Sequence, residues 1–204
     1  MINPSHYFVW TYRRRILDFL SKTNENAWKG ELEWLNRLTV EETKNYQIWC
    51  IWGDFICRRH RELVICNLSV IPVTKELKFL DDAIFGGPTG DPKNYHAWAY
   101  RFVRFANNRI WLVTLSGCFI PELVSSGNWI KRDPFNNSAW NFRAFLVRSI
   151  ISDKSVSFDL QLEKEYVIGC IFFYSFVDTV APGNSKNPSS VSYLNLLSEL
   201  NVKM

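Results

Sequence analysis

Apolar residues recur along most of this chain at intervals of three and four, the spacing of helices that bury one face. Residues 28–38, 75–84, 121–130 and 160–177 each carry such a stripe. Between these stretches stand four segments that align without gaps: NPSHYFVWTYR from Asn3, ETKNYQIWCIW from Glu42, DPKNYHAWAYR from Asp91 and DPFNNSAWNFR from Asp133. Trp10, Trp49, Trp98 and Trp140 hold the same place in the four copies. Three residues before the tryptophan comes Tyr7, Tyr46, Tyr95 or Asn137, and three after it Arg13, Trp52, Arg101 or Arg143. Spacings of three on both sides put these groups on one helical face.

Each copy carries its own punctuation. Asn3-Pro4, Asp91-Pro92 and Asp133-Pro134 stop a preceding helix and set a turn. Asn45, Asn94 and Asn136 follow, where an Asn side chain accepts hydrogen bonds from the first amides of a helix. The pattern is therefore helix, turn, helix, repeated. The tryptophans are 39, 49 and 42 residues apart, which suits an α-solenoid with insertions better than a strict 34-residue tetratricopeptide unit, and nothing alternates with the period of strands. A fifth, decayed copy is expected near residue 184, with Val191 in the tryptophan place and Tyr193 and Leu194 continuing the apolar face. The prediction is all-α, about five helix pairs in one domain over residues 1–204, with motifs beginning near 3, 42, 91, 133 and 184.

Composition adds little to this and excludes more. The 9 Trp, 8 Tyr and 15 Phe are an unusually large aromatic load, which a stacked helical core would absorb. A net charge of +4 is too small and too scattered for a nucleic-acid binder, and the clusters Arg13-Arg14-Arg15 and Arg58-Arg59 read as solvated helix faces. Five cysteines without a CxxC pair and without a signal-peptide pattern point to a reducing compartment, so a cytoplasmic location is expected. The most apolar runs, 110–120 and 167–177, fall well short of the roughly twenty residues needed to span a bilayer. Cys57, His60 and Cys66 lack a fourth ligand for zinc, and residues 85–92, though glycine-rich, have no GK[ST] and read as a loop.

KNYQIW, KNYHAW and NNSAWNFR, in that order and after HYFVWTYRRRIL, resemble consecutive repeats of the α subunit shared by protein farnesyltransferase and type I geranylgeranyltransferase. That resemblance implies a right-handed, tetratricopeptide-like α-α superhelix, a crescent wrapped around a separate β subunit that forms an α-α barrel. It also implies the chemistry of a heterodimer: a zinc-held thiolate of a C-terminal CaaX cysteine attacks the first carbon of an isoprenoid diphosphate. Zinc belongs to the β subunit, magnesium to the complex, and no metal to this chain, which would not act alone.

Lys93, just before the third motif's helix, is the first candidate for chemistry. A cation beside the positive end and free amides of a helix suits a diphosphate, and the resemblance implies that this lysine steadies the charge on the leaving group. Lys44 holds the same place one repeat earlier, so the rival reading of Lys93 is a solvated turn residue. Tyr95 either offers its hydroxyl to the same diphosphate or packs as Tyr7 and Tyr46 do. Tyr46, Gln47 and His96 are candidates for the CaaX tail or its carboxylate, with Asn136 a weaker one. The tryptophans are assigned to packing, and Arg13, Arg101 and Arg143 to tying repeats or partner together. The alternative function is a scaffold that binds a peptide or protein and does no chemistry. The resemblance implies that the choice of isoprenoid length lies in the β subunit's pocket.

Overall fold

A computed structural model describes residues 6–45, 49, 60–68, 73–86, 90–106, 119–152, 157–180 and 188–202, and every regular element among them is a helix. The chain divides into two compact units, Met1–Trp111 and Leu112–Met204. The first contains α1 (Tyr7–Leu20), α2 (Ala27–Glu41), α3 (His60–Cys66), α4 (Val73–Phe85) and α5 (Tyr95–Ala106). There α1 packs on α2, α2 on both α3 and α4, and α4 on α5. The second contains α6 (Phe119–Arg132), α7 (Asn137–Ser152), α8 (Leu160–Val180) and α9 (Pro188–Val202), with α6 on α7 and α9 on both α7 and α8.

The motif turns explain their own residues. In the fourth copy Asp133 Oδ1 accepts the amide of Phe135 at 3.1 Å, and Asn136 Oδ1 accepts those of Ser138 and Ala139 at 3.1 and 3.3 Å. Asn136 is thus the N-cap of α7, as Asn94 is of α5 through the amides of His96 and Ala97. The indole of Trp140 then donates back six residues to the Pro134 carbonyl at 2.8 Å, and Trp98 does the same to Pro92 at 2.8 Å. The second copy has no proline, yet Trp49 keeps the bond, to the Thr43 carbonyl at 3.0 Å. All four tryptophans are buried. Burying a ring of this size contributes roughly 4–6 kcal/mol, several times a cap's roughly 1 kcal/mol, so packing holds the tryptophan and the indole N–H bond only aims it.

A second set of repeated residues is charged, and the apolar periodicity did not find it. Glu31 in α2, Glu76 in α4, Glu122 in α6 and Glu163 in α8 are all buried, each followed four residues later by another buried residue: Leu35, Leu80, Ser126 or Val167. Three of them lie between an arginine fork and a third group from a helix later in the chain. Glu31 receives Arg13 at 2.6 and 2.7 Å and His60 Nε2 at 2.6 Å. Glu76 receives Arg61 at 2.7 and 2.6 Å and the Tyr100 hydroxyl at 2.6 Å. Glu163 receives Arg143 at 2.6 and 2.7 Å and the Tyr193 hydroxyl at 2.8 Å. Such bidentate pairs, closed by a further donor, leave no carboxylate stranded in the core.

Two expectations change here. Arg13 does not belong to a solvated cluster: its guanidinium is committed to Glu31 and lies 3.7 Å over the Trp34 ring. The arginine that Trp52 displaces from the second copy is supplied from elsewhere, by the fully buried Arg61 of α3, whose Nη1 also reaches Asn36. Where a decayed fifth copy is expected stands α9, with Val191 at the fourth helical position, where α5 and α7 carry their tryptophans. Val191 itself is exposed, and Tyr193 two residues on takes the buried place.

Candidate functional site

The turns that open the second and third motifs are joined to each other within the first unit. Asn94, while capping α5 with its side-chain oxygen, donates its amide nitrogen to the Thr43 carbonyl at 2.8 Å. The Trp49 indole reaches the same carbonyl, and Lys44 Nζ stands 3.6 Å from Asp91 Oδ2. Lys44 and Lys93, equivalent residues of successive motifs, are therefore carried on adjacent turns, both exposed. Asp91 Oδ1 holds the Lys93 amide at 3.0 Å, which fixes the backbone there and leaves the ammonium to solvent.

Tyr95, the first residue of α5, is also exposed, and its ring lies edge-on to His96 at 5.7 Å. His96 is half-buried, and burial lowers its pKa, favouring the neutral imidazole. The structure narrows one expectation. The amides of His96 and Ala97 are taken by Asn94, so they are not free for an anion. What the edge offers is two exposed lysines, one of them 3.6 Å from the Asp91 carboxylate, a phenol hydroxyl and the positive end of α5, a set that leans toward an anion.

Of the other predicted site residues, Tyr46 and Gln47 lie outside the described residues. Asn136 belongs to the second unit, is buried, and spends its side-chain oxygen on the cap of α7. Cys57 of the rejected zinc set is likewise outside the described residues, His60 is bound to Glu31, and Cys66 is exposed and in no disulfide. Among the described residues no group of three or more His, Cys, Asp or Glu could hold a metal ion, and no helix is long and apolar enough to cross a membrane.

Arg61 and the repeated glutamates are the residues that sequence reasoning missed. The spacing Glu-x3-apolar recurs in all four second helices except for Ser126, so the signal was present, but a search for apolar periodicity passes over charges.

Comparison with known proteins bears on the same segments. Residues 73–106 and 121–150 match the family described as "Protein prenyltransferase alpha subunit repeat". Over 49 residues, 24% of its length, the chain is 45% identical to the "Protein farnesyltransferase/geranylgeranyltransferase type-1 subunit alpha" of Schizosaccharomyces pombe. Over 104 residues, 48% of its length, it is 25% identical to the "Geranylgeranyl transferase type-2 subunit alpha" of Dictyostelium discoideum. The matched stretches span 15% and 29% of those two proteins. Two stretches of the chain, 73–106 and 121–150, are thus similar to the repeat of protein prenyltransferase α subunits.

Proposed function

We propose that this repeat protein is the α half of a heterodimeric CaaX prenyltransferase and lends the edge formed by Lys93, Lys44 and Tyr95 to the isoprenoid diphosphate. The observation that carries the reading is the joining of two equivalent lysine turns, those that open the second and third tryptophan motifs, through Asn94 and Asp91. In the reaction the CaaX thiolate forms a carbon–sulfur bond to the first carbon of the isoprenoid as the carbon–oxygen bond to diphosphate breaks. The electron pair leaves with the diphosphate, and charge develops on the bridging oxygen. Positioned cations near that oxygen stabilise the transition state more than the ground state. His96, with Tyr46 and Gln47 one motif earlier, is assigned to the peptide tail. Zinc, which activates the thiol, is assigned to the β partner and magnesium to the complex. A cytoplasmic setting follows from this reading.

Coexpression with a β-type barrel subunit and assay of prenyl transfer to a CaaX peptide tests it. A complex with activity above that of the β subunit alone is expected. Replacing both Lys44 and Lys93 by Ala should lower kcat on the order of a hundredfold while leaving the complex assembled. Single substitutions would then apportion the effect between the two turns. Absence of a complex would reject the reading and favour a peptide-binding scaffold.

A further inference from the structure

Asp91 reaches both lysine turns at once, one with each carboxylate oxygen. Oδ1 accepts the Lys93 amide at 3.0 Å, and Oδ2 lies 3.6 Å from the Lys44 ammonium. The first bond belongs to the motif's turn. Asp133 makes it in the fourth copy, at 3.1 Å to the amide of Phe135, which stands where the third copy has Lys93. Setting the turn therefore accounts for Oδ1 and leaves the approach of Oδ2 to Lys44 to be explained.

Exposure tells which partner can move. The Asp91 side chain is 29% exposed and tied through Oδ1, whereas that of Lys44 is 77% exposed and ends a flexible stem. The carboxylate is the fixed group, and the ammonium is the one with room to swing. Two lysines on adjacent turns also repel, and a carboxylate attached to both turns offsets part of that repulsion. A diphosphate arriving at the edge brings the same kind of charge in greater amount, so it competes with Asp91 for Lys44. We propose that Asp91 is a positioning residue, a resident counter-ion that holds Lys44 beside the Lys93 turn in the empty chain and gives it up to the diphosphate. When the diphosphate departs, the carboxylate takes the ammonium back, which keeps the edge from holding its product too tightly. An exposed ion pair is weak enough for this exchange. The inference rests on the reading of the edge as a diphosphate site.

Inorganic pyrophosphate, titrated into the full chain in magnesium-free buffer and followed by the NMR shift of the Lys93 amide, tests it. Saturable binding is expected. Asp91→Asn keeps an oxygen for the Lys93 amide and removes the charge, so it should tighten binding about three- to fivefold, the scale of an exposed ion pair. Lys44→Ala should weaken binding about tenfold, and Asp91→Asn added to Lys44→Ala should then change it little. A general charge effect would instead tighten binding equally with or without Lys44. Saturable binding that Asp91→Asn does not tighten, or tightens by the same factor in the Lys44→Ala chain, overturns the inference and leaves the diphosphate edge standing. No binding by the unaltered chain overturns both.

Discussion

The junction around Glu31 in the first unit and the one around Glu163 in the second are built on the same plan with different materials. Glu163 is closed by Arg143, which is buried and also donates to the Leu123 carbonyl and the Ser126 hydroxyl at 2.7 and 2.9 Å, and by the Tyr193 phenol. Glu31 is closed by Arg13, whose side chain is 35% exposed, and by the imidazole of His60, which stacks edge-on against Trp10 at 5.0 Å. One junction is dry and held by groups that do not titrate near neutrality. The other is half open and held by one that does. A buried ion pair's strength depends as much on what closes it as on the pair itself.

The charges respond accordingly. Burial raises the Glu31 pKa, but hydrogen bonds from His60 and Arg13 outweigh it and hold the carboxyl below its ordinary range. Burial lowers the His60 pKa further than Glu31 raises it, with Arg14 and Arg13 repelling the proton as well. His60 is therefore a neutral donor to a carboxylate. In the other junction burial lowers the Arg143 pKa, but the bonds to Glu163 outweigh it, while burial and the Glu163 charge push the Tyr193 hydroxyl up.

The largest test of this contrast removes the arginines. Arg143→Ala strands a buried Glu163 and should cost about 3–5 kcal/mol. Arg13→Ala, at a solvent-reachable fork, should cost about 1–2 kcal/mol. Denaturant titration followed by hydrogen exchange in each unit separates them, and equal costs would remove the distinction between dry and open junctions. Next, Tyr193→Phe should destabilise the second unit by about 1.5–3 kcal/mol, because it takes a donor from a charged acceptor. A silent Tyr193→Phe would mean that the arginine fork alone satisfies Glu163.

The smallest effect is also the most selective. With its folded pKa below the unfolded value, His60 contributes stability that is present above about pH 6.5 and lost as the pH falls, at no more than about 1.4 kcal/mol per pH unit. Glu31 adds a further loss in the carboxylate range. Between pH 7.5 and 5.5, amides of α1 and α2 should lose exchange protection, after correction for intrinsic rates, while those of α7 and α9 keep theirs. His60→Gln, which retains a donor but cannot titrate, should flatten the response of α1 and α2. Parallel loss in both units would assign the effect to something other than His60.

The sequence revealed most where cause and effect lie within one turn. Asn94, Asn136 and the tryptophans act on residues two to six positions away, so their spacing carried their roles. It revealed least where partners are distant in the chain. Arg61 stands in for the arginine lost at Trp52 because folding brings α3 to α4, and no local pattern announces it. Arg13 looked solvated in a triplet of like charges because its glutamate lies eighteen residues on. The lysine turns were legible as positions, but their adjacency depends on the Asn94 bond to Thr43 across 51 residues.

The indole bond to the carbonyl six residues back has a consequence for how such a chain can change over time. The motifs of Trp49, Trp98 and Trp140 each close their own turn within a single short stretch and need nothing from the connecting segments for that bond. Insertions between motifs can therefore lengthen or shorten without disturbing the start of any helix, and the intervals of 39, 49 and 42 residues are what that tolerance permits. A duplicated stretch would carry its own clasp with it. Only the buried glutamates, which need a neighbour, would have to find a new match.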